Sequence, residues 1–166
     1  MRTSPRQSNS TFEIQDSKLS FFVIFNPTAS RGRALRARGA IEEAFRREGA
    51  ECRLVATEGP GHATELAACA VEEGWPALVA VGGDGVVHEV VNGLMRAGNA
   101  GAAIPPLGIV PVGSGNDFIK MLGIPAHRPA DAVKRLVHAK PVRVDVGRVA
   151  SHVTGAGPDG VWYFTN

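Results

Sequence analysis

Gly82-Gly83-Asp84-Gly85 is the stretch of this 166-residue chain whose residue types best suit chemistry. Three glycines surround one carboxylate, so little side-chain bulk stands between the backbone and a ligand lying over the turn. An apolar run, Ala77 to Val81, enters the turn and reads as a buried strand. Beyond it, Val87, Val90, Val91 and Leu94 fall at i, i+3, i+4 and i+7, the spacing of one apolar helix face. Strand, glycine turn and helix in that order place open N–H groups at a helix start, a site for anions and above all for phosphate. A carboxylate beside phosphates repels them unless it holds Mg²⁺ or accepts a proton from an attacking hydroxyl. Asp84 therefore has two readings here, one of those tasks or a plain helix cap.

The elements that must position this turn are read from the rest of the chain. Leu19 to Phe25 is a first apolar strand, followed by the turn-rich loop Asn26–Gly32. A helix is predicted from about Arg33 to Glu48, with Leu35, Ile41, Ala44 and Phe45 as an imperfect apolar face. Cys52–Ala56 reads as a strand, Thr57–Gly61 as a loop and His62–Glu73 as a helix. After the central helix come a strand at Leu107–Val110, a second glycine turn at Pro111–Asp117, and short helices at Phe118–Leu122 and Pro129–Ala139. Val142–Val149 alternates apolar and polar residues and reads as a strand, and Val161–Phe164 begins another apolar run. This alternation of strand and helix predicts an α/β fold, a three-layer parallel sheet with helices on both faces. Ligands bind such sheets at the C-terminal strand ends, so the loops Asn26–Gly32, Thr57–Gly61, Gly82–Gly85 and Gly113–Asn116 should converge on one edge.

Several classes are disfavoured. There is no Gly-x-x-x-x-Gly-Lys-Ser/Thr, and the loop after the first strand has only Gly32, which argues against P-loop and dinucleotide-binding folds. A net charge of +2 is too small to argue for nucleic acid. Arginines cluster early, at Arg31, Arg33, Arg36, Arg38, Arg46 and Arg47, as a solvated face or one that steers an anion. Cys52 and Cys69 lack metal spacing and read as reduced core thiols of a cytosolic protein. No run is long enough to span a membrane, and the polar segment from Met1 to Gln15 lacks a hydrophobic signal and reads as a disordered tail.

Read in order, the motifs resemble the diacylglycerol kinase catalytic domain shared by bacterial lipid kinases, sphingosine kinases and ceramide kinases. The resemblance runs from about Phe21 to Val149. It covers Asn26-Pro27 with Arg31-Gly32, Thr57 with Gly61-His62-Ala63, and Gly82–Gly85 with Glu89-Val90-Val91-Asn92-Gly93-Leu94. It closes on Pro106-Leu107-Gly108, Pro111, Gly113-Ser114-Gly115-Asn116-Asp117 and Asp145. The family implies ATP-dependent phosphorylation of a lipid hydroxyl with Mg²⁺; which residues hold the metal is left open. By resemblance, Asn26 and Thr28 approach the nucleotide together with Arg31 and Gly32, and Thr57 donates its hydroxyl to it. Gly82, Gly83 and Gly85 hold phosphates, while Glu89, Gly113, Ser114 and Asn116 complete the pocket. Asp84 is taken as the base in sphingosine kinases, whereas bacterial diacylglycerol kinases assign the base to their C-terminal domain.

Departures from the bacterial pattern are Val86 and Ser114 in place of Thr and His88 in place of Asn, and they leave the head group open between diacylglycerol and a sphingoid-type lipid. An exposed helix residue is the plainer reading of His88. Three units are expected: a tail over residues 1–17, the ATP-binding domain over 18–149, and over 150–166 the start of a β-rich lipid-binding domain. Val161–Phe164 would then be a first strand without partners, in a fragment that is inactive by itself and touches the membrane surface through the missing domain. The alternatives are a nucleotide-binding module without kinase activity and an NAD kinase-like enzyme. The resemblance implies a cytoplasmic location, with peripheral membrane contact.

Overall fold

A computed structural model describes residues 19–113, 116–121, 123, 128–150 and 160–165. The tail expected over residues 1–17 lies outside them, as does Ser114. In chain order the elements are β1 (Ser20–Phe25), α1 (Ala29–Arg47), β2 (Glu51–Ala56), α2 (His62–Glu72), β3 (Leu78–Gly82) and α3 (Asp84–Asn99). They continue with β4 (Leu107–Pro111), α4 (Asp117–Met121), α5 (Pro129–His138), β5 (Gly147–Ala150) and β6 (Val161–Phe164).

Side-chain alternation explains the layers. Phe21, Val23 and Phe25 of β1, with Val79 and Val81 of β3, pack against Ile41 and Phe45 of α1 and Val133 of α5. Phe22 and Ile24, with Leu78 and Ala80, face Ala67 of α2 and Val87, Val90 and Leu94 of α3. Both faces of the central strands are thus covered, which is why β1 and β3 are nearly continuous apolar runs. The sheet order is β2-β1-β3-β4, with every pairing parallel. The α/β architecture expected from the sequence is the one observed. All four strands therefore end on one edge, where α1, α2 and α3 begin.

Four expectations need correction. Val142–Val149 is not a strand throughout: regular structure starts only at Gly147, while Val142 and Val144 are 75% and 46% exposed. Alternation marks a chain that can pair, but among the described residues only the β5 part of this stretch has a partner alongside. That partner is β6, paired antiparallel with it from Gly147↔Phe164 to Ala150↔Val161, so Val161–Phe164 is not partnerless. Leu35 points to solvent, and Ala34 takes the buried position beside Ile41, Ala44 and Phe45. Cys69 is exposed on α2 rather than in the core, and Cys52 is half-buried.

Candidate functional site

At the C-terminal strand ends lies a cleft of about 270 Å³, lined by Asn26, Ala29, Ser30, Gly83, Asp84, Gly85, Val86 and Gly113. Its frame is a backbone clasp between the two glycine turns. The N–H groups of Val112 and Gly113 both donate to the Gly82 carbonyl, at 3.0 and 3.1 Å. A Cβ on Gly113 would overlap Gly83 Cα and stand 2.7 Å from Asn116 Oδ1, and one on Gly82 would stand 2.8 Å from Val86 Cγ2. Gly82, Gly83 and Gly113 are therefore explained by close packing of backbone and Val86. Gly85 differs: among the described residues nothing lies within 4 Å of where its Cβ would be. The room that the sequence assigns to three glycines belongs to this one.

Helix α3 starts in the cleft with Gly83 as an extended N-cap residue and no side-chain cap among the described residues. Asp84 is its first residue, so it does not cap its own helix. Its half-buried carboxylate instead accepts a 3.4 Å bond from the Phe118 N–H, in the first turn of α4. The start of α3 thus combines open backbone donors, a favourable helix dipole and one carboxylate reaching across the cleft.

The loop after β1 is ordered from within. Asn26 Oδ1 accepts from the Thr28 N–H at 2.9 Å and from the Thr28 hydroxyl at 2.7 Å. Ser30, Arg31 and Gly32 follow with φ of 51°, 58° and 78°, a left-handed stretch before regular helix resumes at Arg33. Among the described residues, the non-glycine positions with positive φ are Ser30, Arg31 and Asn116, all of them in this site's loops. Such conformations cost on the order of 1–3 kcal/mol each and persist only where their surroundings enforce them. Asn116 is 1% exposed; its Nδ2 donates to the Gly113 carbonyl at 2.8 Å, and its Oδ1 has no partner among the described residues. A buried acceptor without a donor is expensive, and this one lies against Gly83 and Gly113.

Of the residues singled out in the sequence, Asn26, Gly83, Asp84, Gly85 and Gly113 meet in the lining. Thr28, Arg31 and Gly32 form the loop above it, Gly82 ends β3, and Asn116 packs against the clasp. Two stand aside. Thr57 is buried at the end of β2, its N–H bound to the Phe25 carbonyl at 2.9 Å. Glu89 points its Oε2 to the Ala63 N–H at 3.1 Å and so caps α2, while its carbonyl accepts from the Thr64 hydroxyl. Ala29 and Ser30 line the cleft without having been singled out, the turn-rich loop around them being the only signal, and Val86, noted in the sequence only as a departure from Thr, lines it too. His88 is exposed and stacks on Trp162 at 5.9 Å, away from the cleft.

A larger depression, about 500 Å³, is lined by Ser20, Glu51, Cys52, Arg53 and Trp75 at the N-terminal strand ends. It has neither a glycine turn nor a helix start, and the physics of parallel sheets favours the opposite edge. Among the described residues no cluster of three or more His, Cys, Asp or Glu could hold a metal ion. No helix of the described residues is long and apolar enough to cross a membrane.

The family model described as the diacylglycerol kinase catalytic domain matches residues 20–149. A diacylglycerol kinase of Bacillus subtilis is 35% identical over 127 residues, covering 76% of this chain and 41% of that protein. One from Staphylococcus saprophyticus is 35% identical over 132 residues, with 78% and 41% covered. Among solved structures, a diacylglycerol kinase from Bacillus anthracis strain Sterne superposes with a TM-score of 0.65 at 29% identity, over 78% of this chain and 42% of that one. The chain thus spans about 41% of the length of these curated relatives.

Proposed function

The chain belongs to the diacylglycerol kinase catalytic domain family, and from that premise we propose that it binds ATP for phosphoryl transfer to a lipid hydroxyl, on a diacylglycerol or a sphingoid-type alcohol. The observation that carries this reading is the clasped pair of glycine turns holding the uncapped start of α3 open beside Asp84. Phosphates would lie over Gly83 and Gly85, receiving backbone N–H bonds and the helix dipole. The exposed Arg31 would add positive charge at the rim, with Asn26, Thr28 and Gly32 shaping the loop over the nucleotide. Thr57 and Ser114 would offer hydroxyls, and Glu89 would act by fixing the start of α2.

The residues present also fit Mg²⁺ arriving with ATP. Asp84 offers a carboxylate and Asn116 an orphaned oxygen, and the phosphates and water would supply the remaining ligands. When bound, the ion would neutralise charge on the transferring group. Asp84 would hold it or take the proton of the attacking hydroxyl.

Among the described residues the cleft lining has only Ala29 and Val86 as apolar side chains, and these form no groove for an acyl chain. We therefore assign ATP binding to residues 18–149 and regard 150–166 as the start of a β-rich segment that would hold the lipid at the membrane surface, in the cytoplasm. The test is a melting curve of the chain with ATP–Mg²⁺. A ligand bound only to the folded state raises Tm by mass action, by about 2.7 kcal/mol of stability at a hundredfold excess over Kd. An unshifted Tm at millimolar ATP–Mg²⁺ overturns the reading.

A further inference from the structure

Helix α3 carries the cleft at its start and the β5–β6 ribbon along its side. The joint between helix and ribbon is Asn92, a buried polar residue. Both ends of its amide engage one residue of β6: the Tyr163 N–H donates to Asn92 Oδ1 at 2.9 Å, and Asn92 Nδ2 donates to the Tyr163 carbonyl at 2.9 Å. A neighbouring strand would pair with Tyr163 in the same way, so this side chain acts as a one-residue strand. The second Nδ2 hydrogen goes to the His88 carbonyl at 2.8 Å, which fixes the amide against the preceding turn of α3. Further along, Asn99 Nδ2 donates to the Tyr163 hydroxyl at 2.7 Å, and the His88 ring stacks on Trp162.

The residue after Asn92 closes the grip from the other side. A Cβ on Gly93 would overlap the Thr64 carbonyl and stand 2.7 Å from Ala67 Cβ, so α3 lies close against α2 there. Helix α3 is held at this level between α2 and β6. Its first turn has no side-chain cap among the described residues and is tied across the cleft by the 3.4 Å bond from the Phe118 N–H to Asp84. Asp84, His88 and Asn92 follow one another at i, i+4 and i+8, so the pin stands about 12 Å along the helix from Asp84. A two-stranded ribbon has little stability of its own, so the joint orders helix and ribbon together.

We infer that Asn92 is a positioning residue for the cleft: by pinning Tyr163 it sets the rotation and lean of α3, and with them the placement of Asp84 and Gly85. The ribbon is then a working part of the site. The inference deepens the nucleotide reading, on which its ligand arm rests.

The experiment uses the 166-residue chain with Asn92→Ala and Tyr163→Phe, in two arms. Without ligand, amide hydrogen exchange is followed at Tyr163 and at Val86 and Val87, whose N–H groups bond to the Gly83 carbonyl at 3.1 and 3.2 Å. Asn92→Ala should speed exchange at Val86 and Val87 by about tenfold, as well as at Tyr163. With ATP–Mg²⁺, calorimetry at a temperature where every variant is folded should give about tenfold weaker binding for Asn92→Ala. Tyr163→Phe loses only the hydroxyl bond to Asn99 and should bind within about twofold of the parent. If Asn92→Ala does not fold, Asn92→Asp is read in the same arms, since it keeps the acceptor for the Tyr163 N–H and loses the donor. Faster exchange confined to Tyr163, or parent-like nucleotide affinity in the Asn92 variant, overturns the inference. If the parent chain fails to bind ATP–Mg²⁺ while Val86 and Val87 respond as expected, the nucleotide reading falls and the pin stands.

Discussion

Two glycine-to-alanine changes separate packing from ligand room in the cleft. At Gly113 the added methyl would overlap Gly83 Cα and stand 2.9 Å from Gly83 N, both backbone atoms that no rotamer change can move. The two turns must part by some tenths of an ångström, straining the bonds from Val112 and Gly113 to the Gly82 carbonyl. Overpacking of this kind costs about 1–3 kcal/mol. At roughly 2–4 °C per kcal/mol for a chain of this size, Gly113→Ala should lower Tm by about 2–12 °C. At Gly85 the methyl meets nothing within 4 Å among the described residues, and the position is helical. Replacing glycine in a helix is worth up to about 1 kcal/mol, so Gly85→Ala should leave Tm level or raise it by no more than about 4 °C. The same methyl would occupy the space assigned to phosphate, so ATP–Mg²⁺ affinity should fall. Scanning calorimetry and titration calorimetry on both variants supply the two readouts. A stable Gly85→Ala that binds ATP as well as the parent would refute the placement of phosphate over the start of α3; an unshifted Tm for Gly113→Ala would refute the clasp.

Thr57→Ala and Ser114→Ala should each weaken ATP binding by roughly 1.5–3 kcal/mol, the cost of a lost bond to a charged group, with titration calorimetry as the assay. A drop in ligand-free Tm with unchanged affinity would assign them to structure instead. Residues 1–166 alone should transfer little radiolabel from ATP to mixed lipids, and in a chain extended by the β-rich segment Asp84→Asn should abolish transfer while keeping the parent's circular dichroism. Near-normal turnover by that variant removes Asp84 from the chemistry. Cys69, exposed on α2, should alkylate well before Cys52, whose thiol is pushed up by burial and by the nearby Glu42 carboxylate; mass spectrometry after brief iodoacetamide treatment checks the order.

The centre of the fold was legible because its signals are local. The apolar run before Gly82 and the helical spacing of Val87, Val90, Val91 and Leu94 state strand, turn and helix within one stretch of chain. Parallel order then follows from alternation, and with it the common edge of the loops. What escaped depends on partners distant in sequence. No spacing rule shows that Gly113 packs on Gly83, or that the Glu89 carboxylate reaches back to cap α2. Val142 and Val144 alternate as a strand would, yet pairing begins only at Gly147, where β6 comes alongside. Asn92 sits inside a motif recognised in the sequence, but its bonds to Tyr163 cross 71 positions, beyond the reach of any local pattern.

The central claim is that nucleotide phosphate binds over the start of α3, between the two glycine turns. Titrating ATP–Mg²⁺ into the isotopically labelled chain and following backbone amide resonances tests it residue by residue. Shifts should appear first and most strongly at Gly83, Asp84, Gly85 and Gly113, with smaller ones in the Asn26–Gly32 loop. An unchanged spectrum at millimolar ATP–Mg²⁺, or shifts gathered instead around Ser20, Glu51 and Trp75 at the opposite strand ends, would contradict it.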